Sequence, residues 1–155
     1  MHAPTKDHWA TVKHILRYLQ ASTSYGLHIT RDSSLSLHGF TDADWADNID
    51  DRKSTGGYLV YLSFTPISWK SGKQHTVARS STKAEYKALA DGIAKILWIR
   101  FLLLELRFPS SSSTMLWCDN LWATFLPVNP VFHAHTKYVE VDYHFVCDRV
   151  AMKEI

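Results

Sequence analysis

The sequence predicts an α/β fold built on a mixed β-sheet, and three features carry that reading. Three strand-like runs lie early in the chain, at Leu35 to Thr41, GGYLVYLS and PISWKS, with SFTP as a hairpin turn between the last two. A long stretch of helical periodicity follows, from about Thr82 to Leu106. A further strand-like run, TMLWCD, comes after it. A crossover through that helix places the last strand parallel to the first, since such connections are long and right-handed.

The elements follow in order. Residues 4–20, PTKDHWATVKHILRYLQ, carry Trp9, Val12, Ile15, Leu16 and Leu19 as one stripe of an amphipathic helix, with Pro4 near its start. ASTSYG breaks it. Leu35 to Thr41 alternates as a strand. The polar DADWADNIDDRKST reads as a long loop, and SGKQHTVARSS as another after the hairpin. In the long helix Tyr86, Leu89, Ile93, Leu97 and Leu104 share helical spacing. The serine run PSSSST is a connector. TMLWCD has few polar residues, as a central parallel strand would. NLWATFL suggests a short helix halted by Pro127 and Pro130. Residues 136–153 suggest a last helix with Val139, Tyr143, Val146 and Val150 on one side. There are no repeats.

A chain of 155 residues suits one domain with a substantial core. Its 46% hydrophobic and 21% charged content is that of a globular protein and argues against general disorder. A net charge of +2 permits a nucleic-acid partner without demanding one. Cys118 and Cys147 have no paired spacing and read as reduced intracellular thiols. No signal peptide is recognisable, because residues 1–20 carry His, Lys, Asp and Arg throughout. The apolar stretch at 96–108 is too short to span a bilayer and holds Arg100, Glu105 and Arg107, so a buried helix is expected there.

Three acids sit at element ends. Asp42 closes the first strand, Glu85 lies near the start of the long helix, and Asp119 closes the last strand. Strand ends on one side of a sheet and a neighbouring helix start bring carboxylates together, and hard divalent cations bind such oxygen clusters. Two metals so held hydrolyse a phosphodiester with water. Each acid also has a purely structural reading. Thr82 with Glu85 forms an S/T-x-x-E capping box. Asp42 initiates a turn, and Asp119 before Asn120 caps the next helix. Asp142 and Glu140 read as a solvated helix face before they read as further ligands. His133, His135 and His144 match no zinc spacing with Cys118 or Cys147, and Cys118 reads as core.

Basic residues Arg52, Lys53, Lys70, Lys73, Arg79, Lys83 and Lys87 surround the loops that flank the acids, with Trp69 and His75 among them. This is either a face for a nucleic-acid backbone or an ordinary solvated surface. Ser54, Thr55, Gly56 and Gly57 either approach a phosphate or sugar closely, glycine exposing its backbone N–H, or form a plain turn.

The motifs FTDADWADNIDDRKSTGGYLVYL, PISWKSGKQHTVARSSTKAEYKALA, LWCDN and NPVFHAHTKYVEVDYHFV occur in this order. Together they resemble the ribonuclease H domain of copia-type LTR retrotransposon Pol polyproteins, from about residue 4 onward. The resemblance implies a ribonuclease H-like α/β fold with strand order 3-2-1-4, flanked by helices. It implies that residues 1–30 are the tail of reverse transcriptase and its connector, with residues 31–155 as the ribonuclease H-like domain. Asp42, Glu85 and Asp119 match the family's catalytic, metal-binding acids, with Asp44 as the neighbour of the first. The family's fourth acid lies in a later Gln-x-Ala-Asp segment beyond Ile155, so the fifth strand and last helix are expected to be missing. Tyr138 and Trp122 depart from the residues usual in the family.

The implied activity is hydrolysis of the RNA strand of an RNA–DNA hybrid to a 5′-phosphate and a 3′-hydroxyl. Two Mg²⁺ ions, or Mn²⁺, serve it, with no small-molecule cofactor and no membrane. Implied partners are the hybrid and the rest of the polyprotein, with reverse transcriptase upstream. Substrate contacts are expected at Ser54, Thr55, Gly56, Lys70, Lys73 and Arg79. The expected location is intracellular, in a cytoplasmic retroelement particle or the nucleus, and not secreted. Two alternatives stand beside this: an inactive retroelement remnant that at most binds nucleic acid, and an integrase- or transposase-like polynucleotidyl transferase. The STKAEY and LWCDN contexts speak against the second.

Overall fold

The structure, a computed structural model, describes residues 3–29, 36–108, 113–119 and 140–155. The expected NLWATFL helix, His133, His135, Trp122, Tyr138 and the first residue expected in β1, Leu35, lie outside them. The described elements are α1 (Lys6–Ala21), β1 (Leu37–Asp44), β2 (Thr55–Leu62), β3 (Thr65–Lys73), α2 (Ser81–Glu105), β4 (Met115–Cys118) and α3 (Glu140–Ala151). Among these no helix is long and apolar enough to cross a membrane.

The sheet has the expected order, β3-β2-β1-β4. β1 and β2 run antiparallel, with Asp42 opposite Gly57 and Asp44 opposite Thr55. The β2–β3 hairpin turns at Ser63, whose φ of 53° is left-handed. β4 lies parallel to β1, from His38 opposite Met115 to Thr41 opposite Cys118. Among the described residues β4 is an edge, as the order 3-2-1-4 implies, and Met115 and Trp117 are exposed with Phe40 on the face of the sheet turned away from α2.

Alternation along β1 puts Leu37, Gly39, Thr41 and Ala43 on the buried side. α2 packs there. Its residues Ala84, Ala88 and Gly92 recur every four positions and form a low ridge facing the sheet. Small side chains let the helix come close: a Cβ at Gly92 would lie 2.6 Å from Thr41 Cγ2. Further along, Ile96 and Ile99 meet Leu37 and Val60. On another side of the helix Tyr86, Leu89, Ala90 and Ile93 pack with Tyr143 and Val146 of α3. α2 is thus apolar on two sides because it lies between a sheet and a helix.

One expectation is corrected. The stretch at 96–108 buries only Ile96 and Ile99, and Leu104 is 59% exposed. Leu103 still packs with the cluster of Leu37 and Val60, whereas Leu104 lies on the side that Ile93 and Leu97 turn towards α3 and is left uncovered among the described residues. The amphipathic stripe of α1 (Trp9, Val12, Ile15, Leu16, Leu19) is exposed throughout, and α1 contacts none of the other described elements. Its start is well specified nonetheless. Thr5 accepts from the His8 N–H, and His8 Nδ1 accepts from the Thr5 N–H.

Candidate metal centre

Two of the three acids, Glu85 and Asp119, bring ligand atoms together, whereas Asp42 stands outside that cluster and is near enough for its charge to act on Glu85. Asp42 and Asp119 each follow the last parallel pair, Thr41 and Cys118, so the register carries both to the same end of neighbouring strands. Both are exposed. Glu85 approaches from α2 and is 6% exposed. One oxygen of Glu85, one of Asp119 and the Cys118 sulfur lie within 4.8 Å of one another.

The electrostatics report the same convergence. Burial pushes the Glu85 carboxyl up to about 7, and the negative charges of Asp119, Asp42 and Asp44 push it the same way. A hydrogen bond from the Ala43 amide opposes them. Glu85 Oε2 is buried without a hydrogen-bond partner among the described residues. An orphaned oxygen amid like charges is an unfavourable arrangement by itself. A bound divalent cation would answer both problems.

The capping-box reading of Glu85 does not hold. The N-cap is Ser80, whose hydroxyl accepts from the Lys83 N–H. Thr82 therefore lies inside the first turn, and Glu85 is free to face the strand ends.

Two loops brace the start of α2. Trp45 Nε1 donates to the Ala78 carbonyl across 2.9 Å. Gln74 donates from its backbone to Ser54 and from its side chain to the Ala84 carbonyl, each at 2.8 Å. Ala43, Ala78, Ala84 and Ala88 close the space between them. These bracing residues were not singled out from the sequence. The spacing of Ala84, Ala88 and Gly92 was a readable signal, whereas the Trp45 and Gln74 contacts join loops with no local pattern.

The expected substrate residues fall in different places. Ser54 is fully buried and its hydroxyl accepts from the Ala46 N–H, so it serves the loop and presents nothing to a ligand. Thr55 donates to Asp47. Gly56, Lys70 and Lys73 line a groove of about 220 Å³ with His75, Lys87 and Asp142. Lys70 pairs with Asp91 at 2.8 Å and Lys73 with Asp51 at 3.0 Å. Arg79 is exposed on the loop before α2. Asp142 is half-buried rather than on a solvated face, and burial raises its carboxyl pKa. It faces Lys87 and Asp91 in that groove and stands apart from the Glu85 cluster.

No protein-family model matches the chain. The retrovirus-related Pol polyprotein from transposon RE2 of Arabidopsis thaliana is 47% identical over 150 residues, 97% of this chain and 10% of that protein. The corresponding polyprotein from transposon TNT 1-94 of Nicotiana tabacum is 40% identical over 147 residues, 95% of this chain and 11% of that protein. The chain thus spans about a tenth of the length of these relatives. A solved ribonuclease H1, isolated from compost by a metagenomic approach, superposes with a TM-score of 0.51 at 14% identity. The match covers 76% of this chain and 80% of that one, and it shows a shared ribonuclease H-like fold.

Proposed function

The chain belongs to the retrovirus-related Pol polyprotein family of transposons, and from that premise we propose that it is an endoribonuclease domain acting on RNA–DNA hybrids. The observation that carries this reading is Glu85, buried with an orphaned oxygen among the charges of Asp119, Asp42 and Asp44. Asp42, Glu85 and Asp119 would hold Mg²⁺, or Mn²⁺ in its place. When bound, a pair of such ions activates a water and stabilises the leaving oxygen of the scissile phosphate.

The chain's own residues divide the work. Glu85 is fixed from the helix side by its burial and by the Ala43 amide. Asp42 and Asp119 are exposed at the strand ends, where a phosphodiester approaches. Lys70, Lys73 and Lys87 line the groove beside the start of α2. The pairs that Lys70 and Lys73 make with Asp91 and Asp51 are exposed, and such pairs contribute only about 0–1 kcal/mol. A phosphate oxygen therefore replaces either carboxylate at little cost. The expected products are a 5′-phosphate and a 3′-hydroxyl.

The test is cleavage of an end-labelled RNA–DNA hybrid beside single-stranded RNA and duplex DNA. Cleavage of the hybrid's RNA strand with Mg²⁺, abolished by chelation and by Asp42→Asn or Asp119→Asn in folded protein, supports the reading. Equal activity in variant and parent refutes it. Hybrid binding without turnover identifies the inactive remnant instead.

A further inference from the structure

The centre contains a donor that hydrolysis with magnesium does not use. Cys118 ends β4 immediately before Asp119, half-buried, with its sulfur in the cluster that includes Glu85 and Asp119. The orphaned Oε2 of Glu85 is an independent sign that this spot is built for a ligand, since that side chain is 94% buried (6% exposed). We propose that Glu85, Cys118 and Asp119 form a site for a thiophilic divalent cation, Zn²⁺, overlapping the magnesium centre and closing it to Mg²⁺. The metal site stands on geometry alone; its inhibitory consequence rests on the function proposed above.

The donor set decides the class of ion. Zn²⁺ takes thiolate at about 2.3 Å and carboxylate oxygen at about 2.0–2.2 Å, so in its tetrahedral arrangement two ligands lie roughly 3.4–3.6 Å apart. These donors lie within 4.8 Å of one another without an ion, so binding draws the side chains together by up to roughly 1 Å through rotation about their χ angles. Magnesium prefers oxygen and gains nothing from the sulfur. Three protein ligands leave a fourth tetrahedral position for water. As the zinc–sulfur bond forms, the Cys118 thiol releases its proton to solvent. Glu85 and Asp119 are common to both arrangements, so the two ions compete. Cys118 also packs against the cluster of Tyr86, Ile93 and Val146.

Cd²⁺ is the probe, because cadmium bound to thiolate gives an ultraviolet charge-transfer band. The chain has two cysteines, so a Cys147→Ser protein leaves Cys118 as its sole thiol. Titration of that protein is expected to raise the band to one equivalent, with Zn²⁺ displacing Cd²⁺ and excess Mg²⁺ competing. Adding Cys118→Ala should remove the band. Loss of a group that only hydrogen-bonds a metal ligand already weakens metal binding roughly 10–100-fold, so loss of a direct ligand in Asp119→Asn should weaken it by at least about tenfold. No band in the Cys147→Ser protein overturns the proposal, as does unchanged affinity in Asp119→Asn. A protein that cleaves hybrids with Mg²⁺ yet gives no band overturns this site alone. A band without cleavage supports the site and counts against the function proposed above.

Discussion

Gly92 of α2 lies so close to Thr41 of β1 that an added Cβ would stand 2.6 Å from Thr41 Cγ2. This contact sets how near the helix comes to the strand. Glu85 lies two turns earlier along that helix, and Asp42 is the next residue along the strand.

Gly92→Ala is therefore expected to destabilise the protein. In an open helix the same change stabilises by about 1 kcal/mol. Here overpacking against Thr41 outweighs that gain, for a net loss of about 1–2 kcal/mol in denaturant unfolding. Thr41→Ser removes the obstructing methyl, so the double variant should recover part of the loss. Additive effects would show that the two residues do not meet.

Glu85 gives the metal-free protein a pH-dependent stability. Its folded-state pKa of about 7 lies above the ordinary value of 4.5. Between these values the folded chain holds more of this proton than the unfolded chain. Stability from this group is full below about pH 4.5 and falls as pH rises towards 7. In chelator, the melting temperature of the parent should fall across that window relative to Glu85→Gln. Parallel curves would contradict the burial of this carboxyl.

Ser80 and Thr82 separate the two readings of the helix start. Ser80→Ala should cost about 1 kcal/mol, the usual value of an N-cap. Thr82→Ala should be close to neutral, since Ser80 already fills the cap. The reverse order in thermal unfolding would restore the capping box to Thr82 and Glu85.

Trp45→Phe tests the bracing of the centre. It removes the hydrogen bond to the Ala78 carbonyl, for a loss of about 1 kcal/mol in stability. The same variant should bind Mn²⁺ more weakly, because the loops around the start of α2 are joined through that bond. Unchanged metal affinity would show that the brace is not needed.

Much of the fold was legible because its signals are local. The strand runs, the long helix and the acids at their ends needed only periodicity and turn residues. Three other features depended on distances that no window reveals. Leu104 shares the spacing of Ile93 and Leu97, whose side of α2 meets α3, yet among the described residues nothing covers it. The stripe of α1 marks an apolar side without naming what meets it. Cys118 has the composition of a core residue, and only the parallel register of β1 and β4 carries its sulfur to Glu85. At the helix start Ser80, Ser81 and Thr82 offer adjacent hydroxyls, and the choice among them turns on the loop braced by Gln74 and Trp45.

The convergence of Asp42, Glu85 and Asp119 on metal is tested most directly by anomalous scattering from crystals grown with Mn²⁺. The expected result is anomalous density about 2.0–2.2 Å from carboxylate oxygens of all three residues, the range for a hard divalent ion. Density elsewhere, or none at these carboxylates at saturating Mn²⁺, would contradict it.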